Sequence, residues 1–218
     1  MSLKPATLIV LLTCSLFPVA AAAVTHTVGI ARDSDDIVQY IEHHRYLESG
    51  AHEVRYYDPS FRLLLEKQLA YPAAGHQPEL DQQDPVNEIS VTIRRQGNSA
   101  LMRRLTADDT EEYRFELSDD VIIDAGFDAY IQQEWSGFET DPEREIRLAV
   151  AGQSRLLKMK LTYLGDQDGQ LVYDADRRLQ VYDGLSNLPL NTGPVSIEFR
   201  HMKEDPLPLI QDEISLLQ

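Results

Sequence analysis

Cysteine is nearly missing from this chain: the 218 residues contain one, Cys14, which falls inside an apolar run at the N-terminus. The rest of the chain therefore has no means of forming disulfides, thiolate nucleophiles or cysteine-ligated zinc and iron–sulfur sites, and its stability must come from packing. Positive charge is also scarce, with 20 Lys and Arg against 36 Asp and Glu. A field of that sign repels phosphate backbones and anionic lipid surfaces, so nucleic acid is not an expected partner. Glycine- and serine-rich linkers, internal repeats and low-complexity tracts are absent as well.

The common catalytic signatures are missing too. No G-x-S-x-G elbow, H-E-x-x-H zinc motif, G-x-x-x-x-G-K-[ST] phosphate loop or G-x-G-x-x-G dinucleotide turn occurs, which removes the hydrolases and nucleotide enzymes that announce themselves in sequence. No cofactor is expected, and an enzyme is the less favoured reading.

The N-terminus has the three parts of an export signal: Lys4, the apolar run Ala6 to Val19, and the small residues Ala20 to Ala23. The run is shorter than the about 20 residues that a spanning helix needs, so cleavage near Ala22 or Ala23 and a periplasmic location are expected. Lipid attachment at Cys14 is disfavoured, because Thr13 is bulkier than the residue expected before such a cysteine and the apolar stretch continues past it. Removing residues 1–23 leaves 19 basic against 36 acidic residues. The expected organisation is a signal peptide (1–23), a single β-rich domain (24–203) and a surface tail (204–218) containing Pro206 and Pro208. A chain of this length buries roughly 70% of its unfolded surface, enough for one core.

Period-two alternation dominates the mature part. Ile89, Val91 and Ile93 alternate with Ser90, Thr92 and Arg94, and Gln96-Gly97-Asn98-Ser99 reads as a hairpin turn leading into Ala100 to Leu105. Ile37 to Tyr46, Glu53 to Tyr57 and Phe61 to Tyr71 read as a meander, with a turn at Asp58-Pro59-Ser60. Further strands are expected at Glu145 to Val150, Arg155 to Tyr163, Gln170 to Asp174, Leu179 to Asp183 and Val195 to His201, and one long loop at Ala73 to Asp84. The exception is Asp124 to Ser136. Phe127, Tyr130, Ile131, Trp135 and Phe138 follow one another at helical spacing, with Asp124 as N-cap. The fold class is thus mainly β: a curved antiparallel sheet or incomplete barrel packed on one central helix.

Three groups of polar residues could carry chemistry. Asp119, Asp120, Asp124 and Asp128 gather at the helix start, where amide dipoles favour negative charge; the sharper alternative is a metal or acid–base site built from Asp124, Asp128 and Glu134. Asp166-Gln167-Asp168-Gly169-Gln170 partly matches a calcium loop, but glycine is not at position six and Arg177 stands where a bidentate Glu is required, so a hairpin turn is the better reading. His43 and His44 are adjacent and point to opposite faces of a strand, while His26, His52, His76 and His201 are isolated, so no metal site is expected from histidines.

Asp124-Ala125-Gly126-Phe127-Asp128, Trp135 and the later stretch Tyr182-Asp183-Gly184-Leu185-Ser186-Asn187-Leu188 resemble a set of uncharacterised exported bacterial proteins, a likeness that covers most of the mature domain and implies no assigned activity. The order of meander, aromatic helix and further hairpins is similar in architecture to the incomplete barrels of periplasmic lipoprotein carriers. The expectation is a non-enzymatic protein that binds a lipid or other hydrophobic molecule through Phe127, Tyr130, Ile131 and Trp135 during envelope maintenance. The alternatives are an envelope protein-interaction module with no small ligand, using an open sheet edge, and a metal-dependent hydrolase using the acidic cluster.

Overall fold

A computed structural model describes residues 24–71, 75–163, 171–173, 176–185, 188 and 193–217. The calcium-like segment 166–170, the segment 1–23 expected to be an export signal and part of the 182–188 stretch lie outside the described residues. Strands β1 (Thr25–Arg32), β2 (Val38–Tyr46), β3 (Ala51–Tyr57), β4 (Leu63–Ala70), β5 (Glu79–Asp84), β6 (Ile89–Gln96), β7 (Ser99–Leu105) and β8 (Thr110–Glu116) form a continuous antiparallel meander. Strands β12 (Leu171–Tyr173), β13 (Leu179–Leu185) and β14 (Pro194–Met202) extend it on the other side, giving an 11-stranded sheet in which β14 pairs with β1. The sheet is mainly antiparallel, large and not closed into a barrel. One edge, β8, exposes Glu111, Glu112, Arg114 and Glu116, charges that discourage another strand from pairing there.

A second sheet of three strands comprises β9 (Val121–Ile123), β10 (Glu143–Ala149) and β11 (Leu157–Thr162). Its β9 and β10 run parallel, which requires a crossover. The crossover is a 3-10 turn (Asp124–Gly126) followed by helix α1 (Phe127–Thr140). Alternation divides this small sheet between two partners. Val121, Ile123 and Ala149 join the main core with Leu65, Leu80, Val91 and Ile197, whereas Ile122 and Ile146 pack under Tyr130, Ile131 and Phe138 of α1.

Strands β1, β8 and β9 have no counterpart among the expected elements, and two other segments depart from expectation. The loop expected from Ala73 to Asp84 becomes strand from Glu79 onward, because Leu80, Gln82 and Asp84 alternate inward and β4 and β6 flank them on either side. The tail holds helix α2 (Leu207–Leu217), with Ile210 and Ile214 buried against Val28, Ile30 and Ile41 on the outer face of the large sheet. Pro206 and Pro208 sit at its start, where a missing N–H costs little. No helix among the described residues is long and apolar enough to cross a membrane.

Candidate functional site

The inner face of the large sheet, the first turn of α1 and the β10–β11 hairpin line an open cavity of about 1720 Å³. Its apolar wall includes Val91, Phe127, Leu148, Met159, Leu161 and Phe199. Of the four residues expected to bind ligand, Phe127 lines this cavity. Tyr130 and Ile131 are buried instead between α1 and the small sheet, and Trp135 packs on that cluster, its ring edge-on to Tyr163 and Tyr173.

The polar part of the wall comes from strand register. Tyr46 lies opposite His52 and Glu42 opposite Tyr56, so one side of β2 and β3 presents Glu42, His44, Tyr46, His52 and Tyr56 together. His44 Nδ1 and His52 Nε2 share a hydrogen bond at 2.9 Å, and His52 Nδ1 shares another at 2.9 Å with the Tyr71 hydroxyl. When Tyr71 donates, His52 must donate in turn to His44, and the remaining His44 proton sits on Nε2. That atom faces Glu42 Oε1 at 3.7 Å, beyond hydrogen-bonding reach. His44 Nε2 and Glu42 Oε2 are both buried without partners, as is Asp128 Oδ1 at the start of α1. Glu42 itself is only 1% exposed. Orphaned buried groups of this kind cost roughly 1–3 kcal/mol each, and three of them lie on residues of one cavity wall.

Gly29 makes room for this arrangement: a Cβ there would lie 2.7 Å from Ile197 Cγ2 and 2.8 Å from Glu42 Cγ. On the neighbouring strand the His201 ring is locked, with Nε2 donating to the Leu179 carbonyl at 2.9 Å and Nδ1 accepting from the Thr27 hydroxyl at 2.8 Å. Burial disfavours the charged forms of several groups in the site. It pushes His52 well below the usual imidazole range, with His44 and Lys67 adding to the effect. It raises the carboxyl of Asp128 and the hydroxyls of Tyr46, Tyr71 and Tyr173.

The aspartates at the helix start take separate roles. Asp124, with φ of 44°, is no N-cap: the helix cap makes no side-chain hydrogen bond. Its Oδ1 meets Lys67 Nζ at 2.6 Å, in a pair whose side chains are 7% and 6% exposed, and its Oδ2 accepts from the Ala151 amide at 3.1 Å. Asp124 thereby ties the start of the crossover to β4 and to the β10–β11 turn. Asp120 pairs with Arg147 at 2.6 Å, and that guanidinium together with the Ser118 hydroxyl holds its carboxyl far below the usual range. Among the described residues, no three-residue cluster at ligand-sharing distance includes Asp124, Asp128 or Glu134. Sequence reasoning missed Glu42, His44, His52 and Tyr71 because strand pairing alone brings them together.

The fold and the site define an open antiparallel β-sheet protein with a large, partly polar cavity that opens to solvent. No protein-family model matches the chain, and neither the curated proteins nor the solved structures contain a significant match.

Proposed function

We propose that the protein is a non-enzymatic carrier that holds a lipid or another hydrophobic molecule with one polar end, in the exported space implied by its N-terminus. The observation that carries this reading is the cavity of about 1720 Å³, larger than the roughly 300–1,000 Å³ typical of small-molecule sites. The apolar body of the guest lies against Phe127, Leu148, Met159, Leu161 and Phe199. Its polar end lies against the wall to which Glu42, His44 and Asp128 contribute.

Native mass spectrometry of the mature protein, purified without detergent, tests the proposal. A discrete extra mass that leaves on denaturation is the expected result. An empty protein that also takes up none of a panel of fatty acids, phospholipids and acylated peptides would overturn it. In the same assay, Phe127→Ala and Glu42→Gln should each reduce uptake, the first for all guests and the second chiefly for those with a hydrogen-bond donor at the polar end.

A further inference from the structure

The other side of the same strands holds a second cluster. In the β1–β2 register His26 faces Arg45 and Val28 faces His43, which makes His26 and His43 diagonal neighbours on the outer face, within reach of one another. Their rings stack with centroids 5.2 Å apart and planes 15° from parallel, and His26 Nδ1 lies 2.9 Å from His43 Nε2. The segment leading into α2 supplies a third group, Asp205, whose Oδ1 is 4.0 Å from His43 Nε2. That carboxylate is oriented by the Leu207 amide, which donates to it at 3.1 Å.

We propose that His26, His43 and Asp205 bind one divalent transition-metal ion of the zinc type, and that the ion fastens the start of α2 to the outer face of the sheet. The three ligand atoms lie within 4.8 Å of one another. Tetrahedral zinc, with bonds of about 2.0–2.2 Å, sets its ligands roughly 3.4 Å apart. Capture therefore needs the two nitrogens to part slightly and the carboxylate to close in. Asp205 can make the larger movement because its side chain is 57% exposed, and the buried imidazoles need only the small adjustment.

The donor set selects the metal. Two imidazoles and one carboxylate suit zinc, copper or nickel, and are too few in oxygen for calcium or magnesium. Three protein ligands leave a fourth position open, on the exposed side of Asp205, for water. His43 is 1% exposed, and its Nε2, the atom turned toward His26 and Asp205, is the one offered to the metal. The inference does not rest on the carrier reading: its ligand atoms belong to the outer-face cluster of His26, His43 and Asp205, although His26 also borders the cavity.

The test is calorimetric titration of the chelator-treated mature protein with zinc chloride, with cobalt(II) as a coloured substitute. One equivalent should bind, cobalt should give the intense visible absorption of a tetrahedral site, and zinc should raise Tm. His26→Ala and Asp205→Ala should each weaken binding at least about tenfold, since losing even an outer-shell partner commonly costs about 10–100-fold. Asp205→Ala lies at an exposed position, so far-UV circular dichroism should show it folded even if His26→Ala is not. Absence of stoichiometric uptake would overturn the proposal. So would undiminished affinity in folded Asp205→Ala, or uptake that is lost in His44→Gln and kept in His26→Ala.

Discussion

The two faces of the large sheet are made by the same strands and behave as different materials. On the outer face Val28, Ile30 and Ile41 meet Ile210 and Ile214 of α2 in a small aliphatic layer. On the inner face the intervening residues of β2, among them Glu42, His44 and Tyr46, border a cavity that the small sheet and α1 roof without filling. Because side chains alternate along a strand, each residue of β2 belongs to one regime or the other. The contrast teaches that this sheet spends one side on holding the molecule together and keeps polar, incompletely packed surface on the side where a guest would sit.

That contrast can be broken at its strongest point first. Lys67→Ala leaves Asp124 buried and unpaired, and should destabilise the protein by about 3–5 kcal/mol, whereas replacing both partners with apolar residues of similar size should recover much of the loss. Denaturant unfolding of the single and double variants checks this; equal losses would show that the pair does not anchor the crossover. On the outer face Ile210→Ala should cost about 2–5 kcal/mol through the lost apolar contacts and the space left behind. A negligible change in midpoint would mean that α2 is not docked. Gly29→Ala should cost less, about 1–3 kcal/mol, because the methyl group must displace Ile197 or Glu42. It should also reduce ligand uptake in native mass spectra, which the Ile210 variant should not.

The smallest effect sharpens the comparison by pH. Burial lowers His43, on the outer face, to about 4 and sends His52, on the inner face, well below its usual value near 6.5. The unfolded chain therefore takes up protons before the folded one does. The stability from these neutral imidazoles is complete above about 6.5 and declines as the pH falls toward 4. Asp128, raised by burial, acts in the opposite direction. His52→Gln should flatten the decline in metal-free protein; an unchanged slope would assign it to the outer face.

Much of this architecture is legible in the chain. The alternation of Ile89 to Arg94, the Gln96–Ser99 turn and the helical spacing from Phe127 to Phe138 are local patterns, and each became the expected element. The helix extends to Thr140, and it leans on the small sheet because its aromatic stripe meets Ile122 and Ile146. The polar sites were not legible, since pairing across strands decides them. His44 and His52 are eight residues apart, and Thr27 and His201 are separated by 174; no spacing rule links either pair. Asp124 was misread for the same reason: its partner Lys67 stands 57 residues earlier. The docked α2 was hidden by prolines, which mark helix starts as readily as they mark frayed ends.

The pairing of β1 with β14 has a consequence in time. The first strand cannot find its outer neighbour until nearly the whole chain is present, since His26 registers with Met202. Until then one long margin of the growing sheet stands bare. Contacts of such sequence separation slow the search for the native state. A chain delivered from its N-terminus would thus stay unfinished through most of its delivery, and would seal only when its last strand arrived.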